Sequence, residues 1–389
     1  MEYAQLKPGK GFKPVQSFLY YLQRTVTMPM PRRAVMRCIR LLVRRRARRS
    51  AAIMMTSPVA AASLASATSA GKMAAPAGAA ISLPGLADWP ERSSLSTAAA
   101  MAPGAEETPL SLHSTTSATS ATSATSATLA SVPVSTPGGV IASLLARALG
   151  EQGHCALGQL LTPAQVADIH AYVQGKAFQT ATALPTPMHI ENVPSHLSLA
   201  DYSLADLINC PHILALANSP QLLQLAWDYL GCAPTISSLA LRWSFPGNRK
   251  AHDLQTFHRD ADDWKFLKVF VYLTDVDLDA GPHIFVEGTH LQPMHMRLRF
   301  FGDQQVADLY GADKLKTFTG RAGFGFAVDT AGVHKGEVPK TTARLMLTIQ
   351  YSMLPHFAYH YRPAPYYGAL QLDPYVNRLI VAQPKALSG

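Results

Sequence analysis

The sequence predicts a mainly β fold with α-helices packed outside it, preceded by a disordered tail. Three observations lead to this: helical apolar spacing from Val140 to Gly231, β-branched and aromatic runs after Gly231, and low complexity before residue 138. Because helices come first and strands follow with no regular helix between them, a doubly wound parallel sheet is disfavoured. An antiparallel sandwich or barrel is expected instead.

Residues 1–137 are expected to form a basic, then Ala/Ser/Thr-rich tail without a fold. This segment contains 15 of the 34 Lys and Arg residues but only five of the 25 acidic ones, so it carries a net +10, and residues 138–389 carry −1. Tandem Ser-Ala-Thr triplets end at Thr128, in a background with few large side chains to bury. The positive charge therefore belongs to the tail, and a dedicated nucleic-acid-binding surface is not expected in the folded part.

Two interpretations of the tail stay open. Its Arg-rich, acid-free first part is typical of a segment that directs a protein to an organelle or to export. An over-long reading frame, with translation starting at Met55 or Met101, is the alternative. The four cysteines are too sparse for a disulfide framework, and no run of about 20 apolar residues predicts a membrane span. A cytoplasmic location is the simplest expectation.

One domain is expected over residues 138–389. "LTPAQVADIHAYVQG" predicts a helix with Thr162 as N-cap, Pro163 at the first helical position and Gln165 completing a capping box. Helical spacing continues in "SLADLINCPHILALANSPQLLQLAWDYLG", with breaks at its prolines. Strands are predicted in "PTISSLALRWSF", "WKFLKVFVYLTDVD", "HIFVEGTH", "GFGFAVDT" and "ARLMLTIQYSML".

The segment "TFHRDADDW" places His258 and Asp260 two positions apart, just before a strand-like run. Side chains alternate in an extended segment, so these two point to one face and Arg259 points to the other. Imidazole and carboxylate with one further His form the facial triad of non-haem Fe(II) oxygenases, which leaves positions open for co-substrate and dioxygen. His334, in a Gly-rich turn after a predicted strand, supplies a third ligand.

Arg344 opens the next predicted strand after His334. It alternates with apolar residues that belong to the opposite face of that strand, namely Leu345, Leu347 and Ile349. An Arg that points into a barrel needs a partner, and the planar guanidinium matches a carboxylate. A bound carboxylate ligand is one such partner, and a buried acidic side chain is the alternative.

Several of these motifs occur together in the order found in a known family. "HRD" at 258–260, "LTDVDLDAGPHIFVEGTH" at 273–290 and "HKG" at 334–336, followed by Arg344, resemble the phytanoyl-CoA dioxygenase family of Fe(II)/2-oxoglutarate-dependent oxygenases. The family has an acidic turn after the His-x-Asp strand, then a Gly-Pro pair and a Gly-Thr-His, and all three occur here. The resemblance extends from residue 150 to about residue 355.

The resemblance implies a double-stranded β-helix core of the jelly-roll or cupin-like kind. It also implies that His258, Asp260 and His334 bind Fe(II) and that Arg344 binds the distal carboxylate of 2-oxoglutarate. The implied reaction uses O2 and couples decarboxylation of 2-oxoglutarate to hydroxylation of an aliphatic C–H bond in a small-molecule substrate. Related halogenases lack the carboxylate that Asp260 provides, so its presence favours hydroxylation.

Other polar residues near these motifs are weaker candidates. Lys268 either lines the pocket beside 2-oxoglutarate or substrate, or lies outside the barrel, and Gln255 is a candidate neighbour of the cofactor site. Asp262 and Asp263 are interpreted as a solvated turn, and contact with a cationic substrate is the alternative. The remaining histidines near the motifs are interpreted as structural, hydrogen-bonded residues, namely His252, His283, His290 and His295.

Besides nucleic-acid binding through the Arg-rich tail, which would be lost on deletion of residues 1–55, two alternative functions stay open. One is a cupin-type metal enzyme that does not use 2-oxoglutarate, and Arg344 argues against it because only a dicarboxylate co-substrate needs a distant cation. The other is a barrel that binds a ligand without catalysis, and the intact His258/Asp260/His334 set argues against it. The sequence identifies neither the substrate nor the oligomeric state.

Overall fold

The computed structural model describes residues 4–5, 14–26, 29–56, 137–179, 188–247, 253–293 and 300–382. The helices in these ranges are α1 (Pro14–Thr25), α2 (Pro29–Thr56), α3 (Pro137–Gln152), α4 (Pro163–Gln174), α5 (Leu204–Asn209), α6 (Ile213–Ala217), α7 (Pro220–Leu230) and α8 (Asp303–Tyr310). The strands are β1 (Ala4–Gln5), β2 (His154–Gln159), β3 (Leu199–Asp201), β4 (Thr235–Ser244), β5 (Phe266–Tyr272), β6 (His283–Val286), β7 (Leu315–Phe318), β8 (Phe324–Val328), β9 (His334–Gly336), β10 (Arg344–Ser352) and β11 (Tyr359–His360).

The strands form antiparallel sheets, as the sequence predicts. The larger sheet has the order β2-β8-β5-β10-β4-β3, and the smaller has the order β7-β6-β9. A short pair, β1 with β11, lies apart from both. The prediction of β-sheets with accompanying helices is confirmed at this level. Among the helices of the described ranges, none is both long and apolar enough to cross a membrane.

Local sequence explains where the predicted helices begin and end. In α4 the Thr162 hydroxyl accepts the N–H of Gln165 at 3.3 Å, and the Gln165 side chain accepts the N–H of Thr162 at 2.9 Å, so the predicted capping box is present. Gly231 ends α7 with φ of 74°, a left-handed conformation that favours glycine. The predicted order of helices before strands is wrong in detail, because β2 and β3 lie among these helices and α8 lies between β6 and β7.

Both faces of the central strands are buried, which creates two separate layers of packing. On β5, Leu267, Val269 and Val271 pack in the large core together with helix residues. Phe270 and Tyr272, on the other face, pack with rings from the smaller sheet. The space between the two sheets is therefore enclosed, and it receives the polar side chains described below.

The expectation that residues 1–137 lack a fold is wrong for α1 and α2. Ile39 and Val43 on α2 are buried in the large core. Arg32 donates a hydrogen bond of 2.8 Å to the carbonyl of Trp264, and its guanidinium lies 5.2 Å from the centre of that ring. The helix spacing of this Arg-rich stretch places apolar residues on one side, and that side packs on the domain.

The domain therefore includes more of the chain than residues 138–389. Gln23 on α1 donates a buried hydrogen bond of 3.2 Å to the carbonyl of Ala261, next to the predicted ligand Asp260. Residues 57–136, including the Ser-Ala-Thr triplets, lie outside the described residues. The disorder expected for them stays a prediction.

Candidate metal centre

Two of the three predicted ligands face each other across a backbone bridge. The N–H of His258 donates to the carbonyl of His334, and the N–H of His334 donates to that of His258, both at 2.9 Å. Their ring centroids are 4.3 Å apart. The position of each ring therefore depends on the main chain of the other.

Each of these imidazoles is oriented by a hydrogen bond to its own segment. Nδ1 of His258 lies 2.8 Å from the carbonyl of Thr256, and Nδ1 of His334 lies 3.0 Å from the carbonyl of Gly332. A carbonyl only accepts, so both Nδ1 atoms carry the proton and both Nε2 atoms present a lone pair. This tautomer suits a metal-binding imidazole.

Asp260 completes the cluster. Its carboxylate oxygens lie 3.6 Å from Nε2 of His258 and 3.6 Å from Nε2 of His334. The backbone N–H of Asp260 donates to the carbonyl of Thr330 at 2.8 Å, which ties this residue to the segment before β9. One ligand atom from each of the three residues lies within 4.8 Å of the others, a spacing that fits a metal ion.

The electrostatics of the cluster favour the forms that bind metal. Although burial opposes the charge, Lys268 and the two imidazoles hold the pKa of Asp260 well below its ordinary value. Burial, together with the neighbouring His258, lowers the pKa of His334 to about 3. A carboxylate beside a neutral imidazole is the donor set that divalent transition metals accept. The residues present therefore fit a metal.

Lys268 is largely buried, on the face of β5 that it shares with Phe270. Its ammonium contacts the carboxylate of Asp260 at 2.6 Å and that of Asp262 at 3.3 Å. Burial opposes its charge, but the two carboxylates raise the pKa of Lys268 above its ordinary value. The sequence left its location open; the structure places it beside the candidate metal centre, where its ammonium is paired with two carboxylates.

The interpretation of Asp262 and Asp263 as a solvated turn is wrong. Asp262 pairs with Lys268 and also lies 3.3 Å from Nε2 of His356. Asp263 is 1% exposed and accepts the backbone N–H groups of Trp264 and Leu354 at 2.7 and 2.8 Å. Both carboxylates hold the segment that follows Asp260. A cluster of acidic residues in the sequence does not distinguish such contacts from a solvated turn.

Arg344 is buried between the sheets, as its position in the strand pattern predicts. It is 3% exposed, and its Nη2 donates to the hydroxyl of Ser244 at 3.1 Å. Its Nε and Nη1 atoms have no hydrogen-bond partner in the described part of the chain. Burial lowers the pKa of Arg344, but no acidic side chain of the described residues forms an ion pair with it. The described residues therefore do not include a buried acidic side chain that pairs with Arg344, which was the alternative to a carboxylate ligand.

Gln255 is also buried, at 3% exposure, in a 3₁₀ turn of residues 253–255. Its Nε2 atom lacks a hydrogen-bond partner among the described residues. The turn packs against β9, the strand that begins with His334. Its role as a cofactor neighbour stays a prediction. His252 and His295 lie outside the described residues.

Arg259 is a structural residue of this site that the motif alone does not reveal. It points away from the ligands, and its guanidinium donates to the carbonyls of Thr289, Gln292 and Pro293 at 3.2, 3.1 and 3.0 Å. It also bonds the carbonyl of Ala331, in the turn that leads to the third ligand. Arg259 therefore joins the His-x-Asp segment to two loops that shape the site.

His283 is a second residue whose importance the sequence does not indicate. It is 3% exposed, its ring centroid lies 5.5 Å from that of His334, and its Nε2 has no partner in the described ranges. Burial and the neighbouring His334 and Arg344 hold the pKa of His283 well below its ordinary value. His283 was interpreted as a hydrogen-bonded structural histidine, but its Nε2 atom makes no hydrogen bond with the described residues.

No family model and no curated protein matches the chain. Solved structures with some likeness include a non-haem α-ketoglutarate-dependent carbocyclase, SnoK, from nogalamycin biosynthesis, at 18% identity over 54% of this chain and 82% of that one, with a TM-score of 0.39. HygX from Streptomyces hygroscopicus, with nickel, 2-oxoglutarate and hygromycin B bound, is 16% identical over 57% of this chain and 90% of that one, with a TM-score of 0.38. These TM-scores are too low to assign a fold family or a function.

Proposed function

We propose that the protein is an Fe(II)- and 2-oxoglutarate-dependent oxygenase of the phytanoyl-CoA dioxygenase type, which hydroxylates a small-molecule substrate. The observation that carries the proposal is the guanidinium group of Arg344. This group is buried, and two of its nitrogen atoms lack a hydrogen-bond partner among the described residues. The same chain brings three residues together at a spacing that fits a metal ion. A buried cation without a carboxylate is costly unless a ligand supplies one.

The proposed fold is a double-stranded β-helix. The two antiparallel sheets enclose a common interior, and residues that are distant in sequence meet there. His258 precedes a strand of the larger sheet, whereas His334 belongs to the smaller sheet. A site of this kind therefore requires both sheets to be in place.

In the proposed site, His258, Asp260 and His334 hold Fe(II) through two imidazole nitrogens and a carboxylate. Three protein ligands leave coordination positions open for a 2-oxo acid and O2. The iron with its co-substrates supplies an oxidation in which 2-oxoglutarate loses CO2, one atom of O2 enters the succinate formed, and the other enters a C–H bond of the substrate. The chain contributes binding, orientation and exclusion of water.

The chain's own residues have separate parts in this scheme. Arg344 binds the distal carboxylate of 2-oxoglutarate through its unpaired nitrogens. Lys268 holds the Asp260 carboxylate in position and offsets its charge, so it is a positioning residue more than a contact of 2-oxoglutarate. The buried rings of Phe270, Tyr272 and Phe326 keep water from the interior.

Calorimetric titration of the full-length chain, loaded with Ni(II) as an oxygen-inert metal, tests this proposal. We expect 2-oxoglutarate to bind, and Arg344→Gln to raise its Kd by about tenfold or more, the effect of losing a charged hydrogen-bonded pair. Arg321→Gln, at an exposed position, is the matched control and leaves the Kd unchanged. Metal binding without 2-oxoglutarate binding favours the cupin-type alternative, and absence of metal binding favours a ligand-binding barrel.

A further inference from the structure

His283 lies in the row of side chains that leads from the metal cluster toward Arg344. In the pairing of β6 with β9, Phe285 lies opposite His334 and His283 lies opposite Gly336. Side chains two positions apart on a strand share a face, so His283 and Phe285 point to the side on which His334 presents its ring. The ring centroids of His283 and His334 are 5.5 Å apart, with an interplanar angle of 24°.

The far end of this row is occupied by Arg344. A Cβ atom built on Gly336 would lie 3.0 Å from Nη2 of Arg344, so the guanidinium group covers this glycine. Gly336 is the direct cross-strand partner of His283. The imidazole of His283 is therefore near both His334 and the guanidinium group that is proposed to bind a carboxylate.

The surroundings of His283 are otherwise apolar. Its ring lies 4.6 Å from that of Phe270, 5.5 Å from that of Phe326 and 6.1 Å from that of Phe318, measured between centroids. The buried Nε2 atom has no hydrogen-bond partner among the described residues. A buried polar atom without a partner is destabilising, so this nitrogen fits a position where a ligand supplies the partner.

We propose that Nε2 of His283 donates a hydrogen bond to the distal carboxylate of the bound 2-oxo acid, beside the guanidinium group of Arg344. The inference rests on the proposed function and adds a second recognition group for the dicarboxylate. A 2-oxo acid that binds the metal through its oxo end and reaches Arg344 through its distal carboxylate passes His283. The two side chains together select a dicarboxylate over a monocarboxylate of the same length.

Two variants and two acids test this inference in the full-length, Ni(II)-loaded chain. The acids are 2-oxoglutarate and 2-oxopentanoate, which has a methyl group in place of the distal carboxylate. We expect His283→Phe, which fits the aromatic surroundings, to raise the Kd of 2-oxoglutarate by about tenfold while leaving that of 2-oxopentanoate unchanged. His283→Gln keeps an N–H donor, so its Kd for 2-oxoglutarate is expected to lie between that of the wild-type chain and that of His283→Phe.

The Kd of Ni(II) alone and the Tm of each variant identify effects on the metal cluster or on folding, and both are expected to stay at the wild-type value. An unchanged Kd of 2-oxoglutarate in both variants, or an equal loss for both acids, overturns the role of His283. If the wild-type chain binds Ni(II) but not 2-oxoglutarate, the proposed function itself fails, and the inference fails with it. The two failures are distinguishable, because the role of His283 can be overturned only where the wild-type chain binds 2-oxoglutarate, whereas the proposed function fails where it does not.

Discussion

The guanidinium group of Arg344 lies over Gly336, with Nη2 at 3.0 Å from the point where a Cβ atom would lie. The glycine is two residues after His334, the third proposed metal ligand, on the same short strand. Because Gly336 has no side chain, the guanidinium group of Arg344 can lie over it, close to the candidate metal centre. This relationship joins the proposed co-substrate site to the metal site through one strand.

Gly336→Ala is expected to weaken 2-oxoglutarate binding without weakening metal binding. The added methyl group forces the guanidinium to move by a few tenths of an ångström or more, which misaligns its hydrogen bonds. Titration of the Ni(II)-loaded protein with 2-oxoglutarate measures the effect. Gly150→Ala is the control, because no atom of the described residues, apart from its chain neighbours and its own helix backbone, lies within 4 Å of its Cβ position. Equal affinities in both variants would contradict the placement of Arg344.

Asp260→Ala is expected to lower metal affinity by about 100-fold or more, since loss of a ligand exceeds the effect of losing an outer hydrogen-bond partner. Direct titration with Ni(II) or Co(II) measures this. Asp262→Ala removes a neighbouring carboxylate that lies outside the ligand set and is expected to have a much smaller effect. If the two variants lose the same affinity, the cluster is held together by charge in general, and Asp260 is not a specific ligand.

Lys268→Met is expected to reduce metal affinity more than it reduces affinity for 2-oxoglutarate. The ammonium contacts Asp260 at 2.6 Å, so its removal releases that carboxylate from a fixed position. Met fills a similar volume without the charge. Two titrations, one with metal and one with 2-oxoglutarate at saturating metal, separate the effects. A larger loss of affinity for 2-oxoglutarate than for metal would indicate that Lys268 contacts the co-substrate directly.

The N-terminal helices are expected to stabilise the domain. Arg32→Ala removes hydrogen bonds to the carbonyls of Asp263 and Trp264 and the contact with the Trp264 ring, so the Tm is expected to fall by about 2–4 °C. Arg33→Ala, at the adjacent exposed position, is expected to leave the Tm unchanged. Differential scanning calorimetry of the full-length variants measures both values. Equal Tm values would mean that the contacts of Arg32 with residues 263 and 264 contribute nothing to stability.

Asp263 makes the stability of the domain depend on pH. Burial raises the pKa of its carboxyl from 3.8 to about 7 in the folded chain. The folded state therefore binds this proton more tightly than the unfolded state. The contribution of Asp263 to the free energy of unfolding is then greatest below about pH 4 and is lost as the pH rises toward about 7.

Asp263→Asn removes this titration and tests the pH effect. The stability of the wild-type chain relative to the variant is expected to decrease steadily between about pH 4 and about pH 7. Chemical denaturation at several pH values gives the difference at each one. A difference that is constant over this range would show that Asp263 does not titrate there.

The sequence was sufficient to predict the positions that depend on local pattern. The capping box at Thr162, the main strands and the inward direction of Arg344 all follow from spacing along a single segment. The meeting of His258 with His334 was predicted from the family motif, and the structure adds the backbone bridge that holds them together.

Features that depend on tertiary contacts were not predictable in the same way. Strand β9 has only three residues, too few to show a period of two. The fold of α1 and α2 was missed because Arg-rich composition resembles a tail, whereas only tertiary packing shows that Ile39 and Val43 are buried. The unpaired nitrogen of His283 follows from the pairing of β6 with β9, which a single sequence does not specify.

Anaerobic addition of 2-oxoglutarate to the Fe(II)-loaded full-length chain tests the central claim most directly. Bidentate binding of a 2-oxo acid to Fe(II) produces a charge-transfer absorption band in the visible range. We expect this band in the wild-type chain, and we expect Arg344→Ala to need at least about tenfold more 2-oxoglutarate to reach the same absorbance. A chain that binds Fe(II) yet shows no band at any 2-oxoglutarate concentration would contradict the account.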